Sequence, residues 1–186
     1  MSPELNVDAR RLSIATTAYD FIEAEVRPFL AAGGRLWSKG SLGYPSRLRQ
    51  MTRGLESASV PFATRDAMLL PPAHREIEHV LPMKRVLIEI VDPRQSDPRS
   101  NSDPAPIAGG PATSPEHLLS IFDLLVVKCW VTAEEHKRLN RVGRSLQWDA
   151  PGGDGWQRYR LAEVVAYPVS ADGDLGVSSR TPLRGI

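Results

Sequence analysis

VVKCWVTAEEHKRLN, residues 126–140, decides the fold. Its first part, Val126 to Val131, is rich in β-branched and aromatic side chains and reads as a strand. Thr132 follows, and Glu135 stands three residues further on. That is the capping-box spacing. The threonine hydroxyl meets a backbone N–H of the first helical turn, and the glutamate reaches back to the threonine N–H. A helix therefore opens at Thr132 and runs over 132–141 through His136, Leu139 and Asn140, closed near Gly143. Glu135 has a full structural role as the capping acid. A strand that turns straight into a helix predicts an α+β fold, with helices around a small sheet.

On the C-terminal side, residues 150–155 form a Pro/Gly turn and Val164 to Val169 a second strand. Pro168 cannot donate to a ladder, so that strand is expected at an edge or ends early. Arg158 and Arg160 alternate with Tyr159 and Leu161, the pattern of an exposed basic edge. The tail 171–186 is rich in Gly, Ser and Asp. On the N-terminal side, Ser114-Pro115-Glu116 opens a helix over 115–125 with Leu118, Leu119, Phe122 and Leu125 inward. Before it lies a Pro-rich stretch, 93–115, with six prolines and Gly109-Gly110. It reads as a long loop near the middle of the chain, either a flexible linker or an insertion in one domain.

Pro82 suits the first turn of a helix over 82–92. Ala67–Leu70 and Ile77–Leu81 read as short strands. Helices are also expected over 8–31, capped by Asp8 and ended or kinked by Pro28, and over 46–56, capped by Ser46. In the first, Leu12, Ala15, Ala18, Ile22, Val26 and Phe29 recur at helical spacing. The organisation expected is a helical N-terminal part with a basic segment (1–92), the Pro-rich stretch (93–115), a helix-strand-helix-strand part (116–170) and the tail.

The chain has 186 residues, with 23 Lys+Arg against 22 Asp+Glu and a net charge of +1. A charge so close to zero excludes a protein that coats polyanions by charge alone. The single Cys129 excludes an internal disulfide framework and a four-cysteine zinc site. Cys129 itself sits in an apolar strand and is expected to be buried and inert. No stretch approaches the ~18 apolar residues of a membrane helix, and the N-terminus lacks the apolar run of a signal peptide. A cytoplasmic protein with no membrane partner is expected. There is no P-loop, no GxGxxG after a strand and no GxSxG elbow.

Glu78-His79-Val80-Leu81-Pro82 is the sharpest local signal for chemistry. An acid, the histidine after it and a proline three further on resemble the opening of an HNH-type (ββα-metal) endonuclease motif. The segment 131–139 is similar to one that follows such an opening in some bacterial HNH-type proteins. In that family a β-hairpin presents the acid and the histidine, and a helix supplies an Asn or His. The resemblance implies a metal-dependent phosphodiesterase acting on DNA, with Mg²⁺ or Mn²⁺ as cofactor. It implies His79 as general base and Glu78, His136 and Asn140 in or around the metal shell. The chemistry fits the residue types. A hard cation takes oxygen ligands and stabilises charge on a phosphodiester, and a neutral imidazole takes a proton from water. His136 and Asn140 lie four apart and share a helix face, which would equally suit two solvent-facing residues.

A second class of function rests on residues 34–55. They hold Arg35, Lys39, Arg47, Arg49 and Arg53 and no acid. Arg49 and Arg53 share a helix face, and Trp37 and Tyr44 lie close by in sequence. The stretch reads either as a solvated face or as a phosphate-contacting surface of a non-catalytic module that binds DNA or a protein. A third class is a small enzyme whose site leaves no mark in one sequence.

Overall fold

The computed structural model describes residues 3–37, 40–92, 108, 110–142, 156–170, 172 and 174–176. The fold is α+β, as the strand-to-helix reading requires. The chain divides into two compact units. The first is Met1–Glu56 with Met83–Leu125, and the second is Ser57–Pro82 with Val126–Ile186. The Pro-rich stretch 93–115 thus falls within the first unit, and most of it lies outside the described residues.

In the first unit, α1 (Pro3–Phe21) passes through a π-helical turn (Ile22–Val26) into α2 (Arg27–Ala31). Ala15, Ala18, Ile22 and Val26 are fully buried, as their spacing predicts. Asp8 is not the cap: α1 starts five residues before it, with Pro3 in the first turn, where a missing N–H costs nothing. Nor does Pro28 end the helix. Just ahead of it the backbone widens, Arg27 N–H donating to Ile22 O, and the helix continues to Ala31. Such a turn accommodates a residue that cannot donate.

Next comes α3 (Tyr44–Thr52), followed by a 3₁₀ turn over Arg53–Leu55. Ser46 is not its cap either. Gly43, in the left-handed region at φ 77°, is the N-cap, and the helix starts at Tyr44, so Ser46 falls in the first turn. Tyr44 is buried, with its ring edge-on to Phe21 at 5.7 Å and to Phe29 at 5.2 Å. Two further helices of this unit are α5 (Met83–Val91) and α6 (Pro115–Leu125). α6 packs on α1 and α5, and α3 on α1 and α5.

The second unit is built on a four-stranded sheet of β1 (Phe62–Thr64), β2 (Glu76–His79), β3 (Lys128–Val131) and β4 (Ala166–Pro168). The order is β2-β3-β1-β4, with β1 parallel to β3 and the other pairs antiparallel. β4 is an edge strand, where Pro168 was expected. Ala67–Leu70 is not a strand. Thr64 ends β1, its hydroxyl accepts from Ala67 N–H, and the short helix α4 (Arg65–Met68) follows. A side-chain cap here outcompetes a ladder for the backbone N–H. After β3 comes α7 (Ala133–Val142), and α8 (Gln157–Leu161) precedes β4. The core gathers Val80, Cys129, Val131, Leu139, Tyr159 and Val164.

Candidate functional site

The site begins with the capping box. Glu135 accepts from Thr132 N–H at 2.8 Å, and Glu135 N–H donates to the Thr132 hydroxyl at 3.1 Å. The Thr64 hydroxyl donates to the same Glu135 oxygen at 2.8 Å. Two elements therefore fix the first turn of α7, and His136 is the next residue along it. α7 packs back on β2, the antiparallel neighbour of β3. The result is two antiparallel strands followed by a helix, although α5 and α6 lie between the strands in sequence.

A strand sends alternate side chains to one face, so Glu76 and Glu78 lie together. Their cross-strand partners are Val131 and Cys129, both buried. His136 meets both carboxylates. Its Nδ1 contacts Glu76 Oε2, and its Nε2 stands 3.1 Å from Glu78 Oε2. A neutral imidazole donates from one nitrogen only. If Glu76 takes the Nδ1 proton, Nε2 turns its lone pair towards a carboxylate oxygen. Either a second proton or a cation bound by both atoms makes that contact favourable.

The other oxygen of Glu78 is taken by Arg158. Its Nη2 donates to Glu78 Oε1 and, at 3.2 Å, to His79 O. Arg158 is fully buried on α8. The exposed basic edge expected from its alternation with Tyr159 does not form, because the segment is helical and only Arg160 and Leu161 face outward. Its Nε and Nη1 are buried with no acceptor among the described residues.

Of the residues read from the sequence, Glu78 and His136 come together. Asn140 lies one turn beyond His136 on α7 and is exposed. His79 adjoins Glu78 but alternates to the other face of β2, with Ile77. It ends that strand, and β2 is itself an edge of the sheet. Glu76, Arg158 and Thr64 were not foreseen. Glu76 was within reach, since Glu-Ile-Glu alternates at the period of a strand; Arg158 left no such mark. Among the described residues no group of three or more His, Cys, Asp or Glu is placed to hold a metal ion. Cys129 is no nucleophile: burial pushes its thiol up to about 12. Burial likewise raises the Tyr159 phenol well above its usual range.

The basic residues of 34–55 have separate fates. Arg47 pairs with Glu25 at 3.0 Å and lies 4.3 Å over the Phe21 ring. Arg49 pairs with Glu56 at 2.7 Å. Arg35 and Arg53 are exposed, and Arg53 has no ion-pair partner among the described residues. Lys39 lies outside the described residues. No helix is long and apolar enough to cross a membrane among the residues described.

The fold and cluster define an α+β protein whose strand pair and following helix present two carboxylates to one imidazole. Compared with known proteins, the chain matches no family model, no curated protein and no solved structure.

Proposed function

We propose that the protein is a DNA-acting, metal-dependent phosphodiesterase of HNH-like type, with its centre at Glu78 and His136. One observation carries this reading: the 3.1 Å between Glu78 Oε2 and His136 Nε2. Two ligands about 2.0–2.2 Å from one ion, on neighbouring coordination positions, stand about 3 Å apart. Glu76 behind Nδ1 is the carboxylate that commonly orients a metal-binding imidazole. Arg158 holds the far oxygen of Glu78 and so turns the near one towards His136.

Two protein donors suffice for Mg²⁺ or Mn²⁺, which keep open positions for water and phosphate oxygens. What such an ion supplies when bound is stabilisation of charge on the phosphodiester. His136 has both nitrogens engaged. His79, the base that the resemblance implies, faces the other side of β2 and stands away from the pair, so the proton of the attacking water is left to solvent. Asn140 lies beside His136 on α7 to orient groups there.

Purified protein with Mg²⁺ or Mn²⁺ should nick supercoiled plasmid, Glu78→Gln should abolish nicking, and His79→Ala should leave it. No nicking by the wild type defeats the reading. Loss of nicking in His79→Ala would make His79 the base after all.

A further inference from the structure

The first unit contains a groove of about 610 Å³ that the phosphodiesterase reading does not use. Three of its lining residues are cations, Arg49, Arg53 and Lys84. No acidic side chain lines it among the described residues. Glu56 meets Arg49 at Nη1 alone, which leaves the other nitrogens of that guanidinium without a partner among the described residues. Arg53 is exposed, four residues along from Arg49, and its charge is unmatched there.

The rest of the lining suits a flat ring. Trp37 forms one wall, with the Lys84 ammonium 4.9 Å from its ring centroid. Its indole Nε1–H is buried and finds no acceptor among the described residues. Met83, Leu87 and Pro45 supply apolar surface, while Ser46 and Gln50 bring a hydroxyl and an amide. Cations bind phosphate, an indole stacks on a base, and an amide can meet a base edge with both a donor and an acceptor. A groove of this size falls in the range that encloses one small ligand, roughly 300–1,000 Å³.

We infer that this groove binds a nucleoside phosphate: one unpaired nucleotide, with its phosphate on Arg49, Arg53 and Lys84 and its base on Trp37. The inference goes beyond the phosphodiesterase reading and does not depend on it. The same chemistry recognises the nucleotide whether it is free or within a single strand.

The test is calorimetric titration of the full chain, without divalent metal, with dAMP, inorganic phosphate and an unstructured oligo-dT. The expected result is dAMP binding at least about tenfold tighter than phosphate, because the base adds stacking. Arg53→Gln should weaken dAMP by about tenfold with the Tm unchanged. Trp37→Leu should reduce the preference for dAMP over phosphate. Oligo-dT binding more tightly than dAMP, with a steep salt dependence, assigns the groove to a strand. Equal binding assigns it to a free nucleotide. Glu78→Gln should leave dAMP binding intact, so loss of nicking and loss of binding are separable. The inference is overturned if the wild type binds neither dAMP nor oligo-dT, if phosphate binds as tightly as dAMP, or if Arg53→Gln changes nothing. A poly-glutamate peptide binding more tightly than dAMP would also overturn it and mark a protein partner.

Discussion

Both units bury an arginine against a glutamate, and the two pairs differ in kind. In the first unit, Arg85 and Glu89 lie four apart on α5, 2% and 0% exposed. In the second, Arg158 of α8 reaches Glu78 of β2 across 80 positions of sequence. Helix geometry brings the local pair together, placing i and i+4 side by side, and Glu89 also accepts from Ala108 N–H at 3.3 Å. Its cost shows on Arg85, whose pKa burial lowers while Glu89 partly restores it. The distant pair holds two elements together and leaves one Glu78 oxygen facing His136. A buried pair formed within one helix turn serves packing. A buried pair that turns a carboxylate towards an imidazole prepares a site.

The sharpest way to separate them is to remove each arginine. Arg85→Met and Arg158→Met should each cost about 3–5 kcal/mol, since each takes the arginine away from a buried carboxylate. Denaturant unfolding measures this. The double variants then divide the pairs. Arg85→Met with Glu89→Leu should regain most of the stability and keep plasmid nicking. Arg158→Met with Glu78→Gln should regain stability and stay inactive. Nicking by the second double variant would reduce its pair to packing as well.

Glu135→Ala should cost about 1–3 kcal/mol. It removes the capping contact to Thr132 and leaves the buried Thr64 hydroxyl without its acceptor. Nicking should fall with it, because His136 follows Glu135 on the same turn. A stability loss with full activity would show that the capped turn does not position His136.

A smaller effect should appear with pH. Burial holds the Cys129 thiol protonated, pushing it up from the ordinary thiol range to about 12. The folded pKa is raised, so the stabilising contribution is complete below about pH 9 and is lost as pH rises towards 12. Unfolding between those limits should show a downward slope that Cys129→Ala flattens. An unchanged slope would mean that other groups set it. The smallest change belongs to the exposed Arg53. Arg53→Gln should shift stability by no more than about 0.5 kcal/mol, and a larger loss would make it structural.

Much of the local structure was legible in the sequence. Thr132 and Glu135 announced α7, Ser114-Pro115 announced α6, and Pro168 announced an edge strand. Each of these signals is carried by a few neighbouring residues. What escaped was tertiary. Residues 57–82 leave the helices that flank them in sequence and join the sheet of the second unit, a pairing that no local pattern encodes. Arg158 read as surface because its neighbours alternate, and its burial depends on a glutamate 80 positions away. Half of the cluster was legible, as Glu78 and His136. Its geometry was not, because strand alternation separates Glu78 from His79 and brings in Glu76 instead.

The central claim is that Glu78 and His136 bind one cation together. Electron paramagnetic resonance reads it directly, as loss of the free Mn²⁺ signal on titration with protein. Saturable binding by the wild type, weakened at least about tenfold in His136→Ala, is the predicted result. Equal Mn²⁺ binding by wild type and His136→Ala, or none by either, would contradict it.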